Sequence, residues 1–291
     1  AETPAVYDFR ISIITLLLSG FFTLLTLLAE HQNLTAGLQN RLFQAFALLA
    51  CCFGLFFLFY HFLLLLFSVL TGYVLAREYA PIGFLPLFGF FACLLCWLPY
   101  FLYEYPGIMT PDSINQLEQA LGMIPYSNHH PWMHTLLLQL IYSFGQLFTN
   151  DVTTALAFFT VFQMCFLAFC IAWLLSTLQR LQVGNLPCLF ALAFYALVPY
   201  HGVFAVTIWK DVLFSGSVLL FTTSLLRLLL IFPKNRHSMN RERNRTASFA
   251  LSVALYILSG LMFCLFRTNG WYAFLFSLPF LLYAFRHCFK A

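Results

Sequence analysis

Apolar residues fall along this chain in long blocks divided by short polar or charged breaks. The blocks cover 11–29, 42–75, 81–103, 132–148, 152–178, 186–206, 211–232, 248–267 and 271–285. Each approaches the roughly 20 apolar residues that cross a bilayer as a helix. Helices are expected because a segment isolated in lipid has to satisfy its own backbone hydrogen bonds. Block 42–75 is long enough to predict a tilted span, or one broken near Gly72. The predicted fold is all-α, a polytopic transmembrane bundle of about 8–9 hydrophobic helices. Residues 1–80 read as additional N-terminal transmembrane helices, and 81–291 as the main module, with one large loop at 104–131.

Composition agrees and narrows the function. Hydrophobic residues make up 62% of the 291 and charged residues only 8%, about a third of the usual share for a soluble domain. Phe occurs 37 times, and the mean hydropathy is +0.86. So few charges could not solvate the surface of a water-soluble fold, which excludes a soluble enzyme, a nucleic-acid binder and a disordered tail. Of the nine cysteines, all but Cys288 lie inside apolar runs. Cys93 and Cys96 have CxxC spacing in the middle of a block and read as buried small hydrophobes. No cleavable signal peptide is evident. A first residue of Ala, and an end soon after a hydrophobic run, predict a processed, truncated or partial chain.

The net charge of +4 matters through its placement. The stretch 234–245, KNRHSMNRERNR, carries most of the local cations and should be cytoplasmic. Counting spans back from it puts Lys210 and Asp211 outside, Arg180 inside, and Asn150 and Asp151 outside. The loop 104–131 is then outside only if 132–148 is a partial or re-entrant helix. That segment is short and interrupted by His134, Gln139 and Gln146. With the loop outside, only Arg41, Lys210 and Arg267 of the 14 Lys and Arg residues break the positive-inside bias.

The loop reads EYPGIMTPDSINQLEQALGMIPYSNHHPWMHTL over 104–136. Thr110-Pro111 predicts a helix start, with Thr as N-cap and Pro at the first helical position; Gly122 predicts its end. Ile114, Leu117 and Leu121 would share one face, with Asn115, Gln116, Glu118 and Gln119 turned away. The prediction is an interfacial amphipathic helix. Asp112 falls in its first turn, where the helix dipole alone would favour a carboxylate. His129, His130 and His134 form a dense cluster where the chain returns to lipid. His130 and His134 are spaced for a metal if the helix has already begun, although interfacial histidines need none.

Two further polar breaks stand out. TIWKDV places Lys210 beside Asp211 at the head of a block, and FRTNG places Arg267 and Asn269 between two blocks. Each has a plain reading: an N-capping Asp211 with a snorkelling Lys210 and an interfacial Trp209, and a helix stop at Gly270 with a cation on the helix C-terminus. In the adopted topology, however, Asp112, His129, His130, His201, Lys210, Asp211, Arg267 and Asn269 share one membrane face. Ionisable groups at span ends are functional candidates. A carboxylate with a Lys and an Arg suits deprotonation of a hydroxyl and departure of a phosphate.

The set YPG, PDS, HHP, WKD and FRTNG resembles the GT-C class of polytopic membrane glycosyltransferases, which includes protein O-mannosyltransferases and aminoarabinose transferases. Within that class it looks most like a bacterial multi-pass family of unassigned activity. The resemblance covers roughly 81–285 and implies an inverting transferase on the outer face of a bacterial plasma membrane. Its donor would be a polyprenyl-phosphate-linked sugar, and its acceptor a glycolipid, a wall polymer or a protein. Asp112 would be the catalytic base. Lys210 and Arg267 would neutralise the leaving phosphate with help from His129 and His130, and Asp211 and Asn269 would contact the sugar or support the site. Ser113 follows Asp112 where a metal-binding pair would need a second carboxylate, so no cofactor is expected; a divalent metal on His130 and His134 is the alternative. Partners are the lipid bilayer and the lipid-linked sugar, with no nucleic acid.

Two other readings compete. A transporter or flippase for a lipid-linked or small anionic substrate would line a path with the same residues. No internal repeat relates the two halves, and His61 is the one titratable residue near the centre of a block. An inactive scaffold subunit would scatter the polar groups.

Overall fold

The computed structural model describes residues 4–37, 40–75, 81–127, 131–231, 242–267 and 270–285. The chain divides into two compact units, Ala1–Glu78 and Tyr79–Ala291. In the first unit, α1 (Pro4–Thr35) and α2 (Arg41–Leu75) pack on one another, with the Phe22 and Phe59 rings 5.7 Å apart. Thr15, Ser19 and Thr23 form a buried stripe on α1; Ser19 returns its hydroxyl to the Thr15 carbonyl at 2.6 Å. Of the two forms open to block 42–75, the break near Gly72 does not occur, and α2 continues through that position. In an apolar surround a break would strand backbone groups, so glycine's weak helix propensity is overridden.

The second unit contains α3 (Leu85–Tyr103), α4 (Pro111–Ala120), α5 (Trp132–Gln146), α6 (Val152–Arg180), α7 (Asn185–Leu197), α8 (Pro199–Val206), α9 (Lys210–Ile231), α10 (Glu242–Phe266) and α11 (Gly270–Phe285). Two short strands, β1 (Ile108–Met109) and β2 (Thr207–Ile208), pair in parallel. Among the described residues six helices are long and apolar enough to cross a membrane, or up to seven if the bent pair α7–α8 is one span. The chain is an all-α, multi-pass membrane protein. Block 186–206, read from the sequence as a single helix, is bent by 54° between α7 and α8. The cause is local: Pro199 has no N–H to continue the ladder, and it holds Val198 extended at φ −68°, ψ 121°. Helices α5 and α11 have 15 and 16 described residues and account for the rest of the difference from nine blocks.

Hydrogen bonds fix the helix directions. Gln179, near the end of α6, donates to the Ile82 carbonyl just ahead of α3 at 2.8 Å. At the other end, Thr160 donates to the Pro106 carbonyl at 2.6 Å and Tyr105 to Thr154 at 3.1 Å. Helices α3 and α6 are therefore antiparallel, so the chain leaves α3 and enters α6 at the same end of the unit. Asp151 caps α6 there by accepting from the Thr154 N–H at 2.7 Å. The bonds from Thr154 hold this carboxyl below its ordinary range. Arg227, late in α9, donates to Thr177 of α6 at 2.7 Å, so α6 and α9 are parallel. Stacking of Phe214 on Phe263 and of Phe221 on Tyr256 makes α10 antiparallel to α9.

Helix α5 keeps to the end where α6 begins. It meets Phe158 and Phe159 in the second turn of α6 and Phe266 in the last turn of α10. Gly145 of α5 lies so close to α6 that an added Cβ would stand 2.7 Å from the Ala155 carbonyl oxygen. A helix of this length reaches about 22 Å, short of the roughly 30 Å hydrocarbon core.

The buried joint of the unit is Gln163 on α6, which donates through Nε2 to the carbonyls of Ala205 at 2.9 Å and Thr207 at 2.8 Å. These carbonyls come free where α8 ends and β2 begins. Gln163→Leu should cost about 2–3 kcal/mol, because it leaves buried acceptors unsatisfied. Unfolding midpoints in detergent would show the loss, and an unchanged midpoint would refute it.

Candidate functional site

The site is assembled at the end of the second unit where α6 and α9 begin. Its first component is α4. Thr110 and Ser113 form a reciprocal capping box, with Ser113 N–H to Thr110 Oγ1 at 3.2 Å and Thr110 N–H to Ser113 Oγ at 3.3 Å. The Ser113 hydroxyl also donates to the Ile208 carbonyl. The helix start read from Thr110-Pro111 is therefore present and is fastened to β2. Its buried face differs from the expectation. Gln116 and Gln119 point inward with Ser113 and Ala120, whereas Ile114 is 47% exposed. The reason is hydrogen bonding: Gln116 donates to Thr135 of α5 at 3.3 Å, and Gln119 accepts from the Ser127 N–H at 3.4 Å. Leu117 and Leu121 still pack on the core around Leu138 and Phe159.

The pairing of Ile108 with Thr207 and of Met109 with Ile208 sets the register between the loop and the head of α9. It carries Asp112 to Lys210, whose Nζ lies 3.0 Å from Asp112 Oδ2. The next residue, Asp211, turns the other way. Arg267 stands just past the end of α10, which packs antiparallel to α9, and its Nη1 is 3.6 Å from Asp211 Oδ1. Helix α9 begins at Lys210, so Asp211 lies in the first turn and not at the cap. Two consecutive residues thus join two ion pairs, one to the loop and one to the following helix pair.

Beside the second pair is a cavity of about 440 Å³. Asp211 and Arg267 are on its wall with His201, Trp209, Tyr200 and Phe204; Asp112 and Lys210 are not among the lining residues. The bend at Pro199 creates this space by swinging α8 away from the line of α7. His201 packs between Phe194 and Tyr195, with ring centroids 4.8 Å and 5.0 Å away. Close approach of α9 to α6 shapes the floor, where a Cβ on Gly216 would come within 2.7 Å of Phe166. Nε2 of His201 and Nε1 of Trp209 are buried without a hydrogen-bond partner among the described residues.

The remaining sequence candidates divide. His134 is fully buried at the start of α5, edge-on to Phe159 at 5.5 Å. His129, His130 and Asn269 lie outside the described residues. Among the described residues no group of three His, Cys, Asp or Glu side chains could hold a metal. The cavity itself is not evident in the sequence, where Trp209 reads only as an interfacial ring. The signal that could have found it is Val198-Pro199, a break inside an otherwise continuous apolar block.

A family model described as DUF6020, a family of unknown function, matches residues 122–291. The chain belongs to the DUF6020 family. The matched segment contains His201, Trp209, Lys210, Asp211 and Arg267 and begins after Asp112. No curated protein and no solved structure matches this DUF6020 chain.

Proposed function

We propose that the protein is a membrane glycosyltransferase that moves a sugar from a polyprenyl-phosphate donor to an acceptor hydroxyl. The observation that carries this reading is the double ion pair at the head of α9, Asp112 with Lys210 and Asp211 with Arg267. In the reaction, the Asp112 carboxylate takes the acceptor's hydroxyl proton as that oxygen bonds to the anomeric carbon. The bond from that carbon to the phosphate oxygen breaks, and its electron pair stays on the phosphate. Lys210, relieved of its partner's negative charge as Asp112 is protonated, meets the charge that develops there, while Arg267 stays balanced by Asp211. One in-line displacement inverts the anomeric centre.

The reading places the site on the outer face of a bacterial plasma membrane. In the sequence the basic stretch 234–245 runs from just after α9 into the first turn of α10, and cytoplasmic placement of those cations puts the site end outside. A cysteine at position 112, in a background without native cysteines, should react with an impermeant reagent in intact cells. Labelling only after permeabilisation would overturn the sidedness and with it the mechanism. A flippase would need a connected polar path through the bundle; the two ion pairs lie where α9 begins, and the buried Arg227 near the far end is bonded to Thr177 and the Trp173 carbonyl.

Activity is tested by reconstituting the full chain in liposomes with radiolabelled polyprenyl-phosphate sugars and hydroxyl acceptors. Transfer of label to the acceptor is expected. Movement of intact donor between leaflets without cleavage would instead identify a flippase.

A further inference from the structure

The cavity beside Asp211 has a chemistry of its own that the ion pairs do not exhaust. Its charges are balanced, because Asp211 and Arg267 face each other at 3.6 Å. An anion entering it would gain the guanidinium and meet the carboxylate at the same time. A neutral ligand with hydroxyl groups meets no such conflict: Asp211 accepts from it and Arg267 donates to it.

Two further polar atoms point to such a ligand. Trp209 Nε1–H can only donate, and His201 Nε2 either donates or accepts according to its tautomer. Both are buried without a partner among the described residues. A buried polar group left unpaired carries a desolvation penalty, which a ligand hydroxyl would relieve. The wall includes the aromatic side chains of Trp97, Tyr195, Tyr200 and Phe204, together with aliphatic ones such as Leu167 and Val212. Flat rings offer apolar faces to the C–H side of a sugar ring, while the polar atoms among them would meet its hydroxyls. The volume of about 440 Å³ lies within the range of small-molecule sites.

We infer that this cavity is a binding site for a neutral polyhydroxylated ring, held by Trp209, His201 and Asp211 and stacked on the surrounding aromatic side chains. This deepens the transferase reading, on which it rests only for the identity of the ring as the transferred or accepting sugar.

The test measures binding without turnover. The full chain is placed in nanodiscs, since alkyl-glycoside detergents would compete, and its tryptophan fluorescence is followed during titration. The probes are the methyl glycosides of glucose, galactose, mannose and arabinose, with inorganic phosphate alongside. At least one glycoside should give a saturable change in the millimolar range, and phosphate none. Trp209→Phe keeps the ring and removes the donor, and should weaken the glycoside about 5-fold, as expected for one hydrogen bond. Asp211→Asn, an independent variant, should weaken the glycoside about 10-fold and let phosphate bind to the freed Arg267. Absence of saturation with every glycoside, saturation by phosphate in the unaltered chain, or glycoside binding indifferent to both substitutions would each overturn the inference. Glycoside binding without transfer from any lipid donor would refute the transferase and leave the cavity's assignment standing. Transfer without glycoside binding would do the reverse.

Discussion

Asp112→Asn is expected to lower sugar transfer about 1000-fold while leaving the chain folded. The magnitude lies within the range for loss of a general base. Asn is nearly isosteric but cannot take the acceptor's proton, so the loss should fall on kcat more than on KM. Structural damage should be small, because the pair with Lys210 is only partly buried, with side-chain exposures of 43% for Asp112 and 18% for Lys210; such pairs contribute little to stability. The capping box of Thr110 and Ser113 holds α4 independently of that carboxylate. The measurement is initial transfer rate over a range of acceptor concentrations, together with the unfolding midpoint of the same preparation. A rate within about 10-fold of the parent would remove Asp112 from the chemistry, given what a base contributes. A collapsed midpoint would show that its role is structural.

Gly107→Val should be the most damaging single change in the polar loop for folding. Gly107 has φ +146°, and an added Cβ would lie 2.5 Å from Thr160 Oγ1 and 2.9 Å from the Val206 carbonyl oxygen. The second of these is backbone and cannot rotate away. The position is also structurally committed: its N–H donates to the Glu104 carbonyl at 2.7 Å. A β-branched residue here combines backbone strain with overpacking, a cost on the order of 3 kcal/mol or more. Because Gly107 directly precedes β1, its displacement would also pull the loop off β2 and separate Asp112 from Lys210. Lower expression of folded protein and a reduced unfolding midpoint in detergent are expected. A midpoint within about 0.5 kcal/mol of the parent would contradict this, being no more than an ordinary surface substitution causes.

The two variants separate the layers of the site. Asp112→Asn removes a reacting group and spares its framework, whereas Gly107→Val disturbs the framework without removing any polar side chain.

The sequence by itself determined the class of the protein and most of its helices. Blocks of apolar residues with few charges have one stable solution in lipid, and helix starts such as Thr110-Pro111 are written in side chains that act on their own neighbours. It also marked Asp112, Lys210, Asp211 and Arg267, because an ionisable group at the edge of an apolar block is costly and conspicuous. What only the tertiary structure decided is who meets whom. Asp112 reaches Lys210 through a two-residue strand pairing whose partners are almost a hundred positions apart in the chain, and no local pattern encodes that register. Gln116 and Gln119 face inward on α4 because hydrogen-bond partners await them there, and a hydrophobic pattern that counts only apolarity turns the helix the other way. The cavity depends on a 54° bend at Val198-Pro199. Proline permits that bend locally, but the direction of α8 depends on distant partners: Trp97 takes up the Tyr195 carbonyl that Pro199 leaves free, and Gln163 takes up the carbonyls freed where α8 ends and β2 begins.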